Sequence, residues 1–158
     1  MRRFLLFACL LVLACCGCSK HETGCTPVEP QVEEPQILGY AAKDSIQVTK
    51  HSSGIYFQII DPGSGAVPPK GSTITVGYVG RLLNDKIFEQ STSYTKGLSD
   101  LIEGWQIGIP LIKKGGRIKL IIPSSLAYGC NPKKDADDNV VIPGNSVLYY
   151  DINLIKFQ

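Results

Sequence analysis

The side chains that most often perform covalent or metal chemistry are few in this sequence and are not grouped in a catalytic pattern. The histidines are His21, in a segment rich in Pro and Glu, and His51, beside two serines and a glycine. Neither stands in a reactive setting. Cys15, Cys16 and Cys18 follow an apolar run and have no nearby His or Cys at zinc spacing. We therefore predict no metal, no cofactor and no nucleophile or paired-carboxylate catalysis.

Aromatic side chains are the remaining candidates for a site that binds without reacting. Trp105, the one tryptophan, follows Gly104, and Tyr128 stands beside Gly129 in a predicted loop. For Tyr78 and Tyr150, packing in the core is an equally good interpretation. For Tyr128 that interpretation is hard to sustain, because loops lie at the surface. The aromatic residues thus indicate an apolar, uncharged binding pocket.

The elements that would position these residues are mostly strands. Period-two alternation predicts strands over residues 73–83, 117–122 and 146–157, and β-forming residues predict another over 55–60. Apolar spacing over residues 101–112, ended by Lys113-Lys114-Gly115-Gly116, predicts the single short helix. We expect loops at 91–97 and 124–139. The order predicts an α+β fold in which a curved antiparallel β-sheet wraps around one short α-helix.

The first 53 residues are predicted to lie outside the main domain. Residues 1–18 contain two arginines, an apolar run and a small-residue site, which is the layout of a secretory signal. A Cys directly after such a run resembles the bacterial lipobox, with Cys15 the favoured lipidation site and Cys18 the alternative. Residues 19–36 are predicted to be a disordered tether, 37–53 a short helix or extended arm, and 54–158 the domain.

Charge and the two remaining cysteines give weaker information. The net charge is +2, and Arg2 and Arg3 supply the excess, so the rest of the chain is balanced and gives no case for a nucleic-acid partner. Cys25 and Cys130 could pair in an oxidising compartment, but the sequence leaves this open.

Seven short motifs, in order, resemble one known family. They are Val76-Gly77-Tyr78-Val79-Gly80, Phe88-Glu89, the segment from Leu101 to Gly108, Lys114-Gly115-Gly116-Arg117, Ile121-Ile122-Pro123, Leu126-Ala127-Tyr128-Gly129 and the segment from Ile142 to Asp151. These motifs resemble the FKBP-type peptidyl-prolyl isomerases. The resemblance extends from about Gly54 to Phe157 and implies an isomerase that rotates X–Pro bonds in exported proteins. A proline-peptide-binding chaperone with weak or no catalysis is the alternative.

The resemblance also implies a role for each matched residue. Trp105 would form the floor of a proline pocket, and the Ile102 N–H and the Tyr128 hydroxyl would donate hydrogen bonds to substrate. The implied catalytic residues are Tyr78, Phe88, Glu89 and Tyr128, and the implied substrate-binding residues are Leu101, Ile102, Trp105, Ile142 and Tyr150.

The sequence departs from the family pattern beside this pocket. Glu89 replaces the usual Asp, which should alter a hydrogen bond to a neighbouring tyrosine, and Tyr150 replaces the usual Phe and adds a hydroxyl that needs a partner. Lys96 stands near the position of an expected aromatic residue, and whether Tyr94 substitutes for it is left open.

The same resemblance implies the partners and the location. The partners would be unfolded or proline-containing polypeptides, macrolide-type inhibitors, and a membrane reached through the lipid anchor. The protein would be an exported monomer of the bacterial cell envelope, either at the outer membrane or as a periplasm-facing lipoprotein.

Overall fold

A six-stranded antiparallel sheet forms the centre of the molecule. The computed structural model describes residues 25–158, so the predicted signal and both lipidation candidates, Cys15 and Cys18, lie outside the described residues. The strands are β1 (Thr49–Lys50), β2 (Tyr56–Asp61), β3 (Thr73–Leu82), β4 (Ile87–Gly97), β5 (Arg117–Ile122) and β8 (Leu148–Phe157), arranged in the order β1-β2-β5-β8-β3-β4. A separate hairpin is formed by β6 (Lys133–Lys134) and β7 (Val140–Ile142).

A helix packs against each face of this sheet. Helix α1 spans Pro30–Lys43, and helix α2 spans Glu103–Gly108 and continues as a 3₁₀ turn over Ile109–Leu111. We call the α2 side the inner face and the α1 side the outer face. With its antiparallel strands and single short inner helix, the fold is α+β, as predicted.

Strand β8 shows how alternation separates the two faces. Leu148, Tyr150, Ile152 and Leu154 belong to the main core beneath α2. Tyr149 and the preceding Val147 instead belong to a second cluster with α1. Both sets of side chains are nearly inaccessible to solvent, because β8 is a central strand with a helix over each face.

Helix α1 corrects the predicted tether. Residues 19–36 were predicted to be disordered, yet α1 begins at Pro30. Proline is favourable in a first turn because its fixed φ suits the helix and its missing N–H is not needed there. Ile37, Tyr40 and Ala41 are buried at helical spacing in the outer-face cluster, so tertiary packing holds a segment whose composition alone suggests disorder.

Two predicted loops are also more ordered than expected. Residues 91–97 belong to β4, an edge strand whose polar side chains do not show the alternation of a half-buried strand. The predicted loop over 124–139 contains a 3₁₀ turn at Ser124–Leu126 and part of the β6–β7 hairpin. The predicted helix over 101–112 is shorter and is divided between α2 and the 3₁₀ turn that follows it.

Candidate active site

A small aromatic cavity lies between the inner face of the sheet and the start of α2. Its volume is about 170 Å³. Seven of the nine residues implied by the resemblance line it, together with two further residues. The lining consists of Tyr78, Glu89, Tyr94, Asp100, Leu101, Ile102, Trp105, Tyr128 and Tyr150.

Trp105 occupies the centre of this group. Its side chain is 3% exposed. Its ring centroid lies 5.0 Å from those of both Tyr78 and Tyr150, with interplanar angles of 84° and 85°. Edge-to-face contacts of this kind are favourable because the positive ring edge meets a negative face. The two tyrosines therefore fix the indole in one orientation at the base of the cavity.

Helix α2 approaches the sheet closely because two glycines face it. A Cβ atom on Gly104 would lie 2.4 Å from Ile122 Cγ2, and one on Gly108 would lie 2.5 Å from Leu120 Cδ1. Real carbon atoms do not approach this closely, so a side chain at either position would push α2 away from β5. The position of Trp105 thus depends on the glycine beside it.

Two residues implied by the resemblance lie behind the cavity wall. Phe88 packs edge-on against Tyr150, with ring centroids 5.6 Å apart and planes at 90°. Ile142 is buried in the main core, near the end of the β6–β7 hairpin. The structure does not bring either side chain to the cavity lining, and Phe88 supports the lining residue Tyr150 from behind.

The carboxylate of Glu89 has a defined partner. Tyr150 Oη donates a hydrogen bond to Glu89 Oε1 at 2.8 Å. The hydroxyl that distinguishes Tyr150 from the family's usual Phe is therefore satisfied by the glutamate that replaces the family's usual Asp. The two departures from the family pattern form one pair of side chains.

The cavity also keeps its hydroxyl groups protonated. Burial raises the pKa of Tyr78, Tyr128 and Tyr150, and the negative charge of Glu89 raises each pKa further. These hydroxyls remain neutral hydrogen-bond donors at physiological pH. Lys133 Nζ lies 4.5 Å from the centroid of the Tyr128 ring on its rim side, a cation–π distance.

The backbone at the entry to α2 offers another donor. Gln106 Nε2 donates to the Leu101 carbonyl at 2.7 Å, and Trp105 N–H donates to the Ile102 carbonyl at 2.9 Å. These bonds fix the chain on both sides of the Ile102 amide. Within residues 25–158 the Ile102 N–H has no hydrogen-bond partner of its own.

Two lining residues were not identified from the sequence. Tyr94 was left open because residues 91–97 were predicted to be a loop. It pairs with Val76 across β3–β4, and its ring lies 5.8 Å from that of Tyr78, whereas Lys96 is absent from the lining. Asp100 gave no signal beyond preceding Leu101, and its position depends on the 3₁₀ turn at Leu98–Asp100.

A second, wider depression crosses the outer face of the sheet. Its volume is about 940 Å³, and polar and charged side chains such as Arg81, Arg117 and Lys119 line much of it. It is open, and of the predicted site residues only Tyr78 contributes to it. The inner cavity is thus the better candidate for a site that encloses an apolar ring.

Between residues 25 and 158 no group of three His, Cys, Asp or Glu side chains is arranged to hold a metal ion. No helix of that region has the length and apolar content needed to cross a bilayer.

The sequence and the fold match a known class of protein. Residues 65–155 match the family model for FKBP-type peptidyl-prolyl cis-trans isomerases. The FkpA isomerase of Buchnera aphidicola from Schizaphis graminum is 44% identical over 118 residues, which cover 70% of this chain and 44% of that protein. The FkpA isomerase of Escherichia coli K12 is 40% identical over 117 residues, covering 70% of this chain and 40% of that protein.

Solved structures agree with this match. The crystal structure of Escherichia coli FkpA superposes with a TM-score of 0.68 at 32% identity, covering 82% of this chain and 61% of that chain. A Pseudomonas syringae peptidyl-prolyl cis-trans isomerase superposes with a TM-score of 0.66 at 29% identity, covering 84% and 98%. The chain belongs to the FKBP-type peptidyl-prolyl cis-trans isomerase family. It spans less than half the length of the curated FkpA relatives named above.

Proposed function

We propose that the protein is a peptidyl-prolyl cis-trans isomerase that assists the folding of exported proteins. The observation that carries the proposal is the aromatic cavity with Trp105 at its base, enclosed by Tyr78 and Tyr150. Family membership supports the same activity. Its substrates would be unfolded or proline-containing polypeptides.

The chemistry of X–Pro rotation suits a site without a nucleophile. Rotation meets a barrier of about 18–20 kcal/mol because amide resonance must be broken, and no bond is made or cleaved. The planar amide is more dipolar than the twisted one, so transfer from water into an aromatic cavity destabilises the planar form more. Glu89 and Asp100 also line this cavity, so its lining is not uncharged as the sequence predicted. Fixed donors then stabilise the twisted transition state, which is differential binding of the kind that lowers a barrier.

Each residue has a proposed part in this scheme. Trp105 forms the floor beneath the proline ring, and Leu101 and Ile102 form walls. The Ile102 N–H and the Tyr128 hydroxyl donate to substrate carbonyl groups. Support comes from their common place in the cavity lining.

The remaining implied residues shape the opposite wall. Tyr78 and Tyr150 enclose the ring, and Glu89 orients Tyr150 through its hydrogen bond. Phe88 and Ile142 are proposed to act indirectly, since both pack behind the lining. Glu89 and Phe88 are thus positioning residues in this proposal, and Tyr78 and Tyr128 contact the substrate.

The test is the relaxation of a cis-enriched X–Pro peptide, followed by stopped flow with the purified protein. We expect an exchange rate well above that of buffer. Tyr128→Phe should lower kcat/KM about two- to twelvefold, the effect of one neutral hydrogen bond worth about 0.5–1.5 kcal/mol. Tyr149→Phe is the matched control, since Tyr149 lies in the outer-face cluster.

The same assay separates the alternative function. A relaxation rate equal to that of buffer, with peptide binding retained, would overturn the isomerase proposal in favour of a proline-peptide-binding chaperone. Trp105→Ala should abolish peptide binding under either function. Full peptide binding by that variant would contradict the pocket assignment.

Export and lipid anchoring are a separate part of the proposal. The signal-like layout of residues 1–18 supports export to the bacterial cell envelope, and the disulfide between Cys25 and Cys130 supports an oxidising compartment. We propose Cys15, with Cys18 as the alternative, as the lipidated residue. Labelling of cells with a fatty-acid analogue should be lost in Cys15→Ser and kept in Cys18→Ser. The reverse pattern would establish Cys18, and labelling that neither change affects would overturn the anchor.

Ligand type and oligomeric state complete the proposal. Macrolide-type inhibitors should bind in the cavity and change the fluorescence of Trp105, which is the single tryptophan and therefore an unambiguous reporter. Sedimentation equilibrium of the purified protein should give the mass of a monomer. A dimer mass or an unchanged emission spectrum would contradict the respective statement.

A further inference from the structure

A buried carboxylate connects helix α1 to the loop that carries Tyr128. Glu33, in the first turn of α1, is 2% exposed. Its Oε2 atom accepts a hydrogen bond from the Ser124 N–H at 2.8 Å, across a sequence separation of 91 residues. Acidic side chains are rarely buried without a specific partner. The partner of Glu33 is a backbone N–H at the start of the loop that carries Tyr128.

Ser124 is the point from which the Tyr128 loop is organised. Its carbonyl accepts hydrogen bonds from Ala127 N–H at 3.0 Å and from Gly129 N–H at 2.8 Å. These are the residues on either side of Tyr128. The Ser124 residue is itself fully buried. The backbone on both sides of Tyr128 is therefore bonded to the Ser124 carbonyl. Glu33 in turn accepts the hydrogen bond of the Ser124 N–H.

The far side of the loop is fastened by the same N-terminal segment. Cys25 forms a disulfide with Cys130, two residues after Tyr128. Asn145 donates from Nδ2 to the Thr26 carbonyl at 2.8 Å and from its backbone N–H to the Gly129 carbonyl at 2.7 Å. We call residues 25–33 the strap, because this segment holds the loop before and after the tyrosine through Cys25, Thr26 and Glu33.

Tyr128 is the only cavity-lining residue that this loop supplies. A donor must lie within a fraction of an ångström of its productive position, since small misplacements cost large factors in rate. A surface loop does not provide that precision alone. The residues that fasten it are therefore part of the working site even though none of them lines the cavity.

We propose that Glu33 is a positioning residue for Tyr128, and that the strap is the device that holds this donor over the cavity. The inference rests on the proposed isomerase function of the site. It assigns a role in the site to a segment outside residues 65–155, the region that matches the family model.

Amide hydrogen exchange and the isomerase assay, both on the full chain, test the proposal. Amide hydrogen exchange should be about tenfold faster at Ala127 and Gly129 in Glu33→Ala than in the wild type, the effect of leaving a buried donor without its acceptor. Glu33→Gln keeps an acceptor oxygen and should restore most of the protection. Should Glu33→Ala not fold, Glu33→Asp withdraws the acceptor from the Ser124 N–H by one methylene and should give a smaller increase.

Glu34 provides the matched control on the same helix. It accepts a hydrogen bond from the Tyr56 hydroxyl at 2.6 Å and pairs with Lys50 at 2.9 Å, with no bond to the Tyr128 loop. Glu34→Ala removes only these contacts to Tyr56 and Lys50 and keeps the bond from Glu33 to Ser124, so loop exchange should stay at the wild-type level. In the isomerase assay Glu33→Ala should lower kcat about fivefold or more with KM little changed, because the donor acts in the transition state, while Glu34→Ala retains the wild-type kcat.

The outcomes separate the two proposals. Wild-type loop exchange in Glu33→Ala, or an equal fall in kcat in Glu34→Ala, would overturn the positioning role. A wild-type protein that catalyses no isomerisation would instead overturn the proposed function. In that case, faster loop exchange in Glu33→Ala alone would still establish that Glu33 holds the Tyr128 loop.

Discussion

Gly104 offers a direct test of how the fold places Trp105. The perturbation is Gly104→Ala, a change that ordinarily stabilises a helix interior by about 1 kcal/mol. Here the added Cβ would lie 2.4 Å from Ile122 Cγ2 and 2.7 Å from Ile122 Cδ1. Ile122 is fully buried in an interior strand of the sheet, and close-packed cores leave a side chain little room to move. The steric effect and the propensity effect therefore have opposite signs.

The steric effect should prevail. Overpacking of a well-packed core costs about 1–3 kcal/mol, and the first helical turn gains less than a helix interior does from alanine. We expect a net loss of about 1–2 kcal/mol in the free energy of unfolding, measured by urea denaturation with intrinsic fluorescence. Because α2 must move away from β5, Trp105 should also shift, and proline-peptide binding should weaken.

A double-mutant cycle decides whether this clash is the cause. Ile122→Ala removes all three atoms that the new Cβ would meet. In that background Gly104→Ala should cost nothing or stabilise, giving a coupling free energy of at least about 1 kcal/mol. An equal cost in both backgrounds would refute the close-approach argument.

Three further predictions concern the pocket pair, the tyrosines and the disulfide. Tyr150→Phe removes the bond to Glu89 Oε1 and should cost about 0.5–1.5 kcal/mol in urea unfolding. Little further loss is expected in a Glu89→Ala background, which has already lost the acceptor, and a full additional loss there would contradict the pairing. Burial raises the pKa of six of the seven tyrosines, Tyr149 to about 12. The unfolded chain therefore loses phenolic protons near pH 10 while the folded chain keeps them, so the thermal midpoint should be flat from about pH 7 to 9 and fall above about pH 10. A midpoint that rises there would contradict the sign. Replacing Cys25 and Cys130 by serine removes a disulfide between residues 105 apart in sequence. The free energy of unfolding in urea should fall by about 2–4 kcal/mol, and an unchanged urea midpoint would contradict this.

The inner part of the fold could be predicted because its signals are local. Alternation marked β3, β5 and β8. The lysines and glycines at 113–116 follow the 3₁₀ turn at Ile109–Leu111, whereas α2 itself already ends at Gly108. Alternation also accounts for the two faces of β8, since side chains on a strand alternate by geometry. The resemblance to the family then named most of the residues that line the cavity, including Trp105 and Tyr128.

The parts that were missed depend on contacts distant in sequence. Helix α1 has little amphipathic pattern, contains Pro35, and is held by Glu33, Ile37 and Tyr40 against partners far along the chain. Strand β4 is polar because it forms a sheet edge. Its sequence therefore shows no apolar alternation, and the face of the sheet on which Tyr94 lies could not be predicted. The bond from Ser124 to Glu33 has no counterpart in any local pattern.

The central claim is that an aromatic cavity with Trp105 as its floor rotates X–Pro bonds without a reactive group. The most direct measurement is exchange NMR at equilibrium on an X–Pro peptide, which follows cis and trans populations without a coupled protease. The wild-type protein should interconvert the cis and trans forms of the peptide far faster than the uncatalysed process, which takes about tens to hundreds of seconds, and should thereby broaden or exchange the two resonances. Trp105→Ala should not accelerate this interconversion. Uncatalysed exchange with the wild-type protein, or full catalysis by Trp105→Ala, would contradict the account.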